Sequence, residues 1–320
     1  MATITGGQVP LARPRPKPIE AVPLRHWGRW ISAAIIIFLL VALLWSLWHN
    51  PRVDISYIGQ TLFQPWVLRG VVVTIELTII AMIIGLVGGV ALAVMRLSAN
   101  PVLSAVAWGY IWFFRGTPIL VQILFWGFLG SLYPKIFLGI PFTGLVFGSA
   151  DTGRLYGAFV AAILALGLNE AAYAAELVRA GIISVDKGQN EAAFSLGMSP
   201  GLTMRMVVLP QAMRFIIPPL GNETISMLKT TALVSIISGT DLMTVIQQAY
   251  SQNFKTIPLL LVASIWYLFL TSIMSVGQHY LEAHFGRGFG TADMERAEKR
   301  QAKRQLEVTE IELQGGGRDG

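Results

Sequence analysis

The chain has 320 residues, of which 54% are hydrophobic and only 13% are charged, and its formal net charge is +6. Long runs of Ile, Leu, Val and Ala exclude an ordinary soluble domain and indicate a protein that crosses a membrane several times, because a helix of about 20 apolar residues matches the hydrocarbon layer. The absence of cysteine excludes a disulfide framework, a thiolate metal site and a cysteine nucleophile.

The N-terminal segment joins a proline-rich arm to an apolar run. Residues 1–29 are rich in Pro and Arg, and we expect them to form a disordered cytoplasmic arm. Residues 30–48 are long and apolar and lack a small-residue cleavage site before His49. They are therefore predicted to be a retained transmembrane helix and not a signal peptide.

Five more segments of transmembrane length follow, which makes six predicted spans. They lie at about 30–48, 70–95, 107–131, 155–178, 218–247 and 258–282. The fifth is the weakest, since Glu223, Lys229 and Asp241 interrupt it. It is retained because six spans place both termini on the face that carries most of the Lys and Arg residues, which the positive-inside rule assigns to the cytoplasm.

Residues 191–210, between the fourth and fifth predicted spans, are too polar to cross a bilayer. Gly197 can supply the left-handed turn that ends one short helix. Ser199 can cap a second helix with Pro200 in its first turn, and Pro210 is expected to end that helix. This helix-turn-helix would lie on the membrane surface. It is either a knob that enters a groove of a partner protein or an ordinary connecting loop, and the pattern alone leaves both open.

This surface segment also carries a signature at fixed spacing, formed by Glu191, Ala192, Ala193, Gly197, Val207, Leu209 and Pro210. The signature resembles the EAA motif of permease subunits of bacterial ATP-binding-cassette (ABC) importers. Four further blocks resemble the polar amino acid uptake family, the histidine/glutamine/glutamate/arginine type, and they lie at 74–98, 110–126, 168–193 and 222–238. The resemblance covers residues 68–286, and the helix at 30–48 is an addition to the five-span core of many relatives.

The resemblance implies a fold and a domain organisation. The fold would be an all-α, polytopic transmembrane helix bundle of six spans, that of a type I ABC importer permease. The implied domains are an N-terminal arm at 1–29, an extra transmembrane helix at 30–48, a permease core at 68–286 with its EAA coupling loop at 188–210, and a charged cytoplasmic tail at 287–320.

In this family the EAA loop forms a coupling helix that sits in a groove of an ATPase subunit. The implied coupling residues are Glu191, Ala192, Ala193, Gly197, Leu209 and Pro210. The chain has no GxxxxGK[ST] phosphate loop, so we expect it not to be an enzyme and to bind no cofactor itself, with ATP and Mg used by a separate dimer of ATPase subunits. The other implied partners are a second permease subunit, an extracytoplasmic amino-acid-binding protein and the lipid of the bacterial cytoplasmic membrane. No nucleic-acid partner is expected.

Polar residues inside the predicted spans are candidates for a substrate path, and they are Asn169, Glu170, Gln122, Glu76 and Lys229. Glu170 lies deep in the fourth span, where a carboxyl group is costly unless it is paired or wet. It would either line a polar cavity or form a structural pair with Lys229 or Arg179. A buried amide such as that of Gln122 more often joins two helices by hydrogen bonds.

A second candidate region is the sequence Arg115, Gly116, Thr117 and Pro118, near the cytoplasmic end of the third predicted span. It matches the Arg-Gly-Thr-Pro block of the same family. Proline removes a helical hydrogen bond and bends the chain. The block is therefore predicted to be a hinge or gate, or else a static kink.

The predicted function is that of a membrane-spanning permease subunit of an ATP-driven importer, which moves a polar or charged L-amino acid from the outer side to the cytoplasm. The alternative is an ion- or proton-coupled secondary amino acid transporter, for which inverted repeats would be typical, and the two halves show none. The four histidines lack metal-ligand spacing, so no metal site is predicted. The residues leave open which amino acid is carried and whether the permease is a homodimer or a heterodimer.

Overall fold

The computed structural model describes residues 27–140, 143–152 and 156–285. The predicted arm at 1–29, apart from its last three residues, and the predicted tail at 287–320 lie outside the described residues. Within the described part, the chain is helical except for one two-stranded hairpin and the connections between elements.

The chain divides into two compact units, Met1–Val53 and Asp54–Gly320. The described part of the first unit contains the helix α1 (Trp27–Trp48), which has 22 residues and a mean hydropathy of 2.6. At 1.5 Å per residue this helix is about 33 Å long, which is enough to cross the hydrocarbon layer. Its position agrees with the first predicted span at 30–48.

The second unit contains eleven helices and the hairpin among its described residues. In chain order they are α2 (Ile55–Thr61), α3 (Pro65–Leu97), α4 (Pro101–Gly116), α5 (Ile119–Gly127), α6 (Leu129–Leu132), β1 (Lys135–Gly139), β2 (Val146–Asp151), α7 (Ala158–Ile183), α8 (Lys187–Ser195), α9 (Pro200–Thr203), α10 (Leu209–Thr230), α11 (Leu242–Asn253) and α12 (Thr256–Phe285). In the described part of the chain, α1, α3, α7 and α12 are each long and apolar enough to cross a membrane alone. They correspond to the first, second, fourth and sixth predicted spans.

The third predicted span, at 107–131, is made of two helices and not one. α4 ends at Gly116, α5 begins at Ile119, and Thr117 between them is extended, with φ −106° and ψ 140°. Pro118 causes this break, because proline has no N–H to donate and the residue before a proline avoids helical backbone. With 16 and 9 residues, neither helix is long enough to cross a membrane by itself.

The prediction that Pro210 ends the second helix of the surface segment is wrong. This helix starts with Pro200, passes through a π-helical turn at Met204–Val208 and continues into α10 without a break. The amide of Leu209 donates to the carbonyl of Met204, five residues back. This wider turn makes room for the proline ring that follows, as such turns do elsewhere. The surface segment and α10 therefore form one continuous helical element.

The fifth predicted span, at 218–247, also differs from the structure at its end. α10 carries a Pro-Pro pair in its interior, a 3₁₀ turn extends it, and the helical path stops at Ser238, whose φ is 55°. Asp241 then begins the separate helix α11 by accepting hydrogen bonds from the backbone amides of Met243 and Thr244. The buried acid that interrupts the apolar run is therefore a helix cap.

The β-hairpin follows α6 and was not part of the all-α prediction. Its strands pair antiparallel, with Lys135 opposite Asp151 at its base. The hydroxyl of Thr152 donates to the carbonyl of Tyr133 beside this base. Because one hairpin is too small to form an independent layer, the described chain remains a helical bundle.

The helices α3 and α7 pack backbone against backbone along a seam of small residues. A Cβ atom added to Gly89 would lie only 2.6 Å from the Cβ of Ala174 and 2.9 Å from the backbone nitrogen of Ala175. One turn away, Gly85 lies directly under the side chain of Glu170. Small residues allow transmembrane helices to approach this closely. The seam therefore determines the position of Glu170 in the bundle.

Hydrophobic side chains hold the other helices against this seam. One buried cluster joins α3, α5, α7 and α10 and includes Leu77, Ile123, Leu166, Met227 and Val234. A second cluster joins α3 to α11 and α12. The first cluster brings the break between α4 and α5 next to the middle of α7.

An ion pair joins α2 to the connection between α11 and α12. The Nζ of Lys255 donates to Oδ2 of Asp54 at 2.8 Å, and it lies 4.0 Å from the centroid of the Tyr57 ring. The other carboxylate oxygen of Asp54 accepts a hydrogen bond from the backbone amide of Tyr57 and caps α2. The hydrogen bond from Lys255 lowers the pKa of Asp54 from its usual value.

Asp54→Asn is expected to lower the unfolding temperature slightly at neutral pH, and the difference should shrink as the pH falls below about 4. The pKa of Asp54 is lower in the folded protein, so the stabilisation is present above the unfolded-state pKa and is lost as the pH falls through the folded-state pKa. Asparagine keeps an acceptor for the helix cap. Thermal unfolding of both proteins in detergent between pH 3 and 7 checks this, and a difference independent of pH would contradict it.

Candidate functional site

A cavity of about 510 Å³ opens at the break between α4 and α5, and α7 and α10 form its other walls. Its lining includes Arg115, Gly116, Thr117, Pro118, Asn169, Glu170, Tyr173, Glu223, Ser226 and Thr230. The Arg-Gly-Thr-Pro block and the Asn169-Glu170 pair, which are separate predictions from the sequence, therefore line the same cavity.

Glu170 lies halfway along α7 and is only 3% exposed. Within the described residues, its Oε1 atom has no hydrogen-bond partner. The two partners considered from the sequence lie elsewhere: Arg179 pairs with Glu176 at 2.7 Å, and Lys229 is exposed and does not line the cavity. A buried carboxyl oxygen without a hydrogen-bond partner is costly. The position of Glu170 is therefore suited to a bound molecule that donates a hydrogen bond to this oxygen.

Glu223 is a second carboxyl group in this cavity and is not among the site residues predicted from the sequence. It is partly buried on α10, on the same helix face as Met227 and Thr230, which also line the cavity. Residues three and four apart share a helix face. The sequence does place Glu223 at helical spacing from the polar residues Ser226 and Thr230, and this spacing could have indicated a polar helix face. In the prediction, Glu223 was only a charge that interrupts the fifth span.

The amides of Gln122 and Asn169 stabilise the break that shapes the cavity. Pro118 has no N–H, so the carbonyl of Phe114, four residues earlier, loses its helical donor. That carbonyl instead accepts from Nε2 of Gln122 at 2.9 Å and from Nδ2 of Asn169 at 3.1 Å. Gln122 also bonds Thr117 and accepts from Asn169. Gln122 is therefore a positioning residue behind the cavity wall, which agrees with the helix-joining role considered for it.

Arg115 supplies the positive charge of the cavity. Its guanidinium carbon lies 5.1 Å from the centroid of the Tyr173 ring, an arrangement in which the ring face attracts the cation. The cavity lining thus holds this guanidinium together with the carboxyl groups of Glu170 and Glu223. Such a set can bind a small molecule that carries both a carboxylate and more than one cationic group.

Two other predicted substrate-path residues do not reach this cavity. Glu76 on α3 and Lys229 on α10 are both exposed in the subunit, and neither belongs to the cavity lining. The structure therefore brings together Asn169, Glu170 and the Arg-Gly-Thr-Pro block, but leaves Glu76 and Lys229 outside the group.

The surface segment has the turn that was predicted for it. Asp186 caps α8 by accepting from the backbone amide of Gly188 at 2.7 Å. Gly197 follows the end of α8 with φ 76°, the left-handed conformation that favours glycine. Ser199 caps α9 by accepting from the amide of Leu202 at 3.4 Å. The local residues therefore build a rigid corner between α8 and α9.

The side chains of this corner divide into an exposed tip and a buried anchor. Leu196 is 83% exposed and Phe194 is 50% exposed, whereas Ala193 is 3% exposed. Glu191 and Ala192 are also exposed. Of the predicted coupling residues in α8, Ala193 packs inside the subunit, and the others face outward. An exposed apolar tip on a rigid corner is suited to contact with another protein.

Residues 85–287, more than half of the chain, match the family described as the binding-protein-dependent transport system inner membrane component. The chain belongs to this family. It is 51% identical to the arginine transport system permease protein of Corynebacterium glutamicum, over 86% of this chain and 85% of that protein. It is 36% identical to the nopaline transport system permease protein of Agrobacterium fabrum, over 71% of this chain and 93% of that protein.

Solved structures agree with this assignment. A chain of an amino acid ABC transporter crystallised with histidines is 36% identical, with a TM-score of 0.59, over 72% of this chain and 97% of that chain. The MetNI methionine ABC transporter in an inward-facing conformation shares the fold at 21% identity, with a TM-score of 0.53 over 69% of this chain and 97% of that chain. The predicted all-α transmembrane bundle and the predicted permease resemblance are therefore confirmed.

This permease is thus a multi-pass inner membrane protein of an ABC transporter, which works with an ATPase. The remaining residues of its EAA signature are Val207, in the π-helical turn, and Leu209 and Pro210, where that turn passes into α10. They occupy the junction between the surface corner and the helix that carries Glu223. The signature therefore extends from the exposed tip to the base of a cavity wall.

Proposed function

We propose that this permease subunit imports an amino acid with a cationic side chain, using ATP hydrolysed on the separate ATPase. The observation that carries this proposal is the cavity whose lining combines Glu170, Glu223 and Arg115. Two relatives that are 51% and 33% identical to this chain are arginine transport system permease proteins, which supports the same substrate class.

The charges of the cavity are complementary to such a substrate. The α-carboxylate would bind the guanidinium of Arg115, because charge-assisted pairs of this kind are strong and directional. The two cationic groups of the substrate would bind the carboxyl groups of Glu170 and Glu223. Acids inside a membrane protein usually face a cavity or a pathway. Asn169 would add a polar contact beside Glu170.

The break at Gly116, Thr117 and Pro118 would act as the hinge of this site. An extended dipeptide between two helices can change its backbone angles with less rearrangement than an intact helix. Arg115 lies at one end of the break, so a hinge movement would carry its guanidinium toward or away from the substrate. The static kink that the sequence left open would instead hold Arg115 in place during transport.

The exposed corner around Leu196 would be the contact with the ATPase. Leu196 and Phe194 supply apolar surface, and Glu191 supplies a charge-assisted contact at the rim. Because the corner continues through the π-helical turn into α10, movement of the corner would be transmitted to Glu223. ATP and Mg would act only on the ATPase, whose closure would favour one arrangement of the bundle.

The complete importer would contain two permease subunits, two ATPase subunits and an extracytoplasmic amino-acid-binding protein. A second subunit would supply the other wall of the path. Both termini would lie in the cytoplasm, on the side of the corner. The core at 68–286 would carry transport, and the arm at 1–29, the helix at 30–48 and the tail at 287–320 would be additions to it.

The test is reconstitution of the permease with its ATPase and binding protein in vesicles. Uptake of labelled arginine should require ATP and all three components. Leu196→Asp and Gly197→Asp should leave membrane insertion intact but should reduce coupled uptake at least about tenfold, because a buried unpaired charge at an interface centre commonly costs more than 1.4 kcal/mol. ATP hydrolysis should no longer respond to the loaded binding protein.

Gly28→Asp is the matched control, because it makes the same change in the first turn of α1, which is not part of the corner. Its uptake should stay near that of the native protein. Unchanged coupled transport in the corner variants would contradict the coupling role. Uptake that proceeds without ATPase and ATP would instead support the alternative, a secondary transporter.

A further inference from the structure

A second cavity, of about 480 Å³, lies where the ends of α3 and α7 meet α4. Its defining side chains are Arg96, Arg115, Arg179, Glu176, Trp108 and Trp112. It shares the wall formed by Arg115 and Tyr173 with the substrate cavity, but it opens at the end of the bundle at which α3 and α7 terminate. We name it the arginine cavity.

The arginine cavity has an excess of positive charge. Three guanidinium groups and one carboxylate line it, which leaves a net charge of +2 near neutral pH. Glu176 compensates Arg179 by accepting three hydrogen bonds from its guanidinium, at 3.1, 3.2 and 2.7 Å. Arg96 is held by a 2.9 Å hydrogen bond from Nη1 to the hydroxyl of Ser104. The arginines are thus held in place but incompletely neutralised within the cavity.

The rim of the arginine cavity has the character of a membrane interface. Trp108 and Trp112 are 54% and 65% exposed and stack with their ring centroids 6.2 Å apart. Tryptophan is enriched at the level of lipid headgroups. Val94 and Leu97, near Arg96 in the sequence but outside the cavity lining, are 61% and 40% exposed and add apolar surface at this end of α3. The cavity therefore combines a cationic interior with an apolar surface that an acyl chain can follow.

We propose that the arginine cavity binds the phosphate group of an anionic phospholipid, between Arg96 and Arg179. Guanidinium groups bind phosphate oxygens in pairs, and basic pockets between transmembrane helices hold anionic headgroups in other membrane proteins. A free phosphate ion offers the same chemistry without an acyl chain. The apolar rim favours the lipid. The lipid would hold α4 against the ends of α3 and α7. This proposal does not depend on which amino acid the permease transports.

The test titrates the full-length permease in neutral detergent with phosphatidylglycerol, phosphatidylcholine or inorganic phosphate. Native mass spectrometry measures the bound ligand, and thermal unfolding measures the stability of the protein. Phosphatidylglycerol should bind and raise the unfolding temperature, whereas phosphatidylcholine should do neither. Arg96→Gln should weaken phosphatidylglycerol binding about fivefold, and Arg96→Gln with Arg179→Gln should weaken it about 25-fold. Arg214→Gln, which removes an exposed charge outside the cavity, should leave binding unchanged.

Glu176→Gln separates headgroup binding from a purely structural role of the ion pair. It removes the one carboxylate that lines the arginine cavity among the described residues, and it frees Arg179. Phosphatidylglycerol binding should therefore become tighter, whereas loss of a structural pair would only lower stability. Three results would overturn the proposal: weaker lipid binding in Glu176→Gln, equal binding of phosphatidylcholine, or binding of inorganic phosphate without binding of phosphatidylglycerol.

Discussion

Uptake of a cationic amino acid should fall at least about tenfold when Glu170 is replaced by glutamine. A hydrogen bond to a charged group contributes about 1.5–3 kcal/mol, and 1.4 kcal/mol corresponds to a factor of ten. Glutamine has nearly the same shape as glutamate, so it should still fit over Gly85 and keep the seam between α3 and α7. Initial uptake rates of labelled arginine and labelled glutamine in reconstituted vesicles measure the effect, which should be larger for arginine.

Glu282→Gln is the matched control for this substitution. Glu282 lies in the last turn of α12, is exposed, and does not line the cavity. Its variant should transport at the native rate. Glu223→Gln should also reduce arginine uptake, because the proposed site uses both carboxyl groups. Native kinetics for Glu170→Gln would assign Glu170 to packing and would remove the main support for the proposed substrate class.

Gly89→Val should lower the unfolding temperature of the permease by about 5 °C or more, or should prevent its accumulation in the membrane. A Cβ atom on Gly89 would lie 2.6 Å from Ala174, and valine adds two further methyl groups, so α3 and α7 must separate. Overpacking of a tight core typically costs about 1–3 kcal/mol. Thermal unfolding of the purified protein in detergent measures the effect.

Gly277→Val tests whether any added β-branched side chain in a membrane helix has the same effect. Gly277 lies in α12, and a Cβ atom there meets nothing within 4 Å. This variant should therefore unfold close to the native temperature, and Gly89→Ala should fall between the two. Equal losses at Gly89 and Gly277 would show that helix propensity, and not the close approach of α3 and α7, accounts for the result.

Residues that act on their immediate neighbours could be predicted from the sequence. Gly197, Ser199 and Pro200 form the expected corner because a left-handed turn, a cap and a proline in the first turn each depend on only a few residues along the chain. Pro210 was different. Its expected effect, the end of a helix, was cancelled by the π-helical turn before it, and no local signal in the sequence indicated that turn.

The sequence by itself determined that the chain is a transmembrane helix bundle, that it carries an EAA signature and that its third span contains a proline, because length, hydropathy and spacing are properties of contiguous residues. Only the tertiary structure decided which polar groups meet. Arg115, Glu170 and Glu223 are each more than fifty residues apart in the chain, and they line one cavity because of how closely glycine and alanine allow the helices to pack. Helix contact distances depend on both surfaces at once, so neither Glu223 nor the arginine cavity could be found along a single helix.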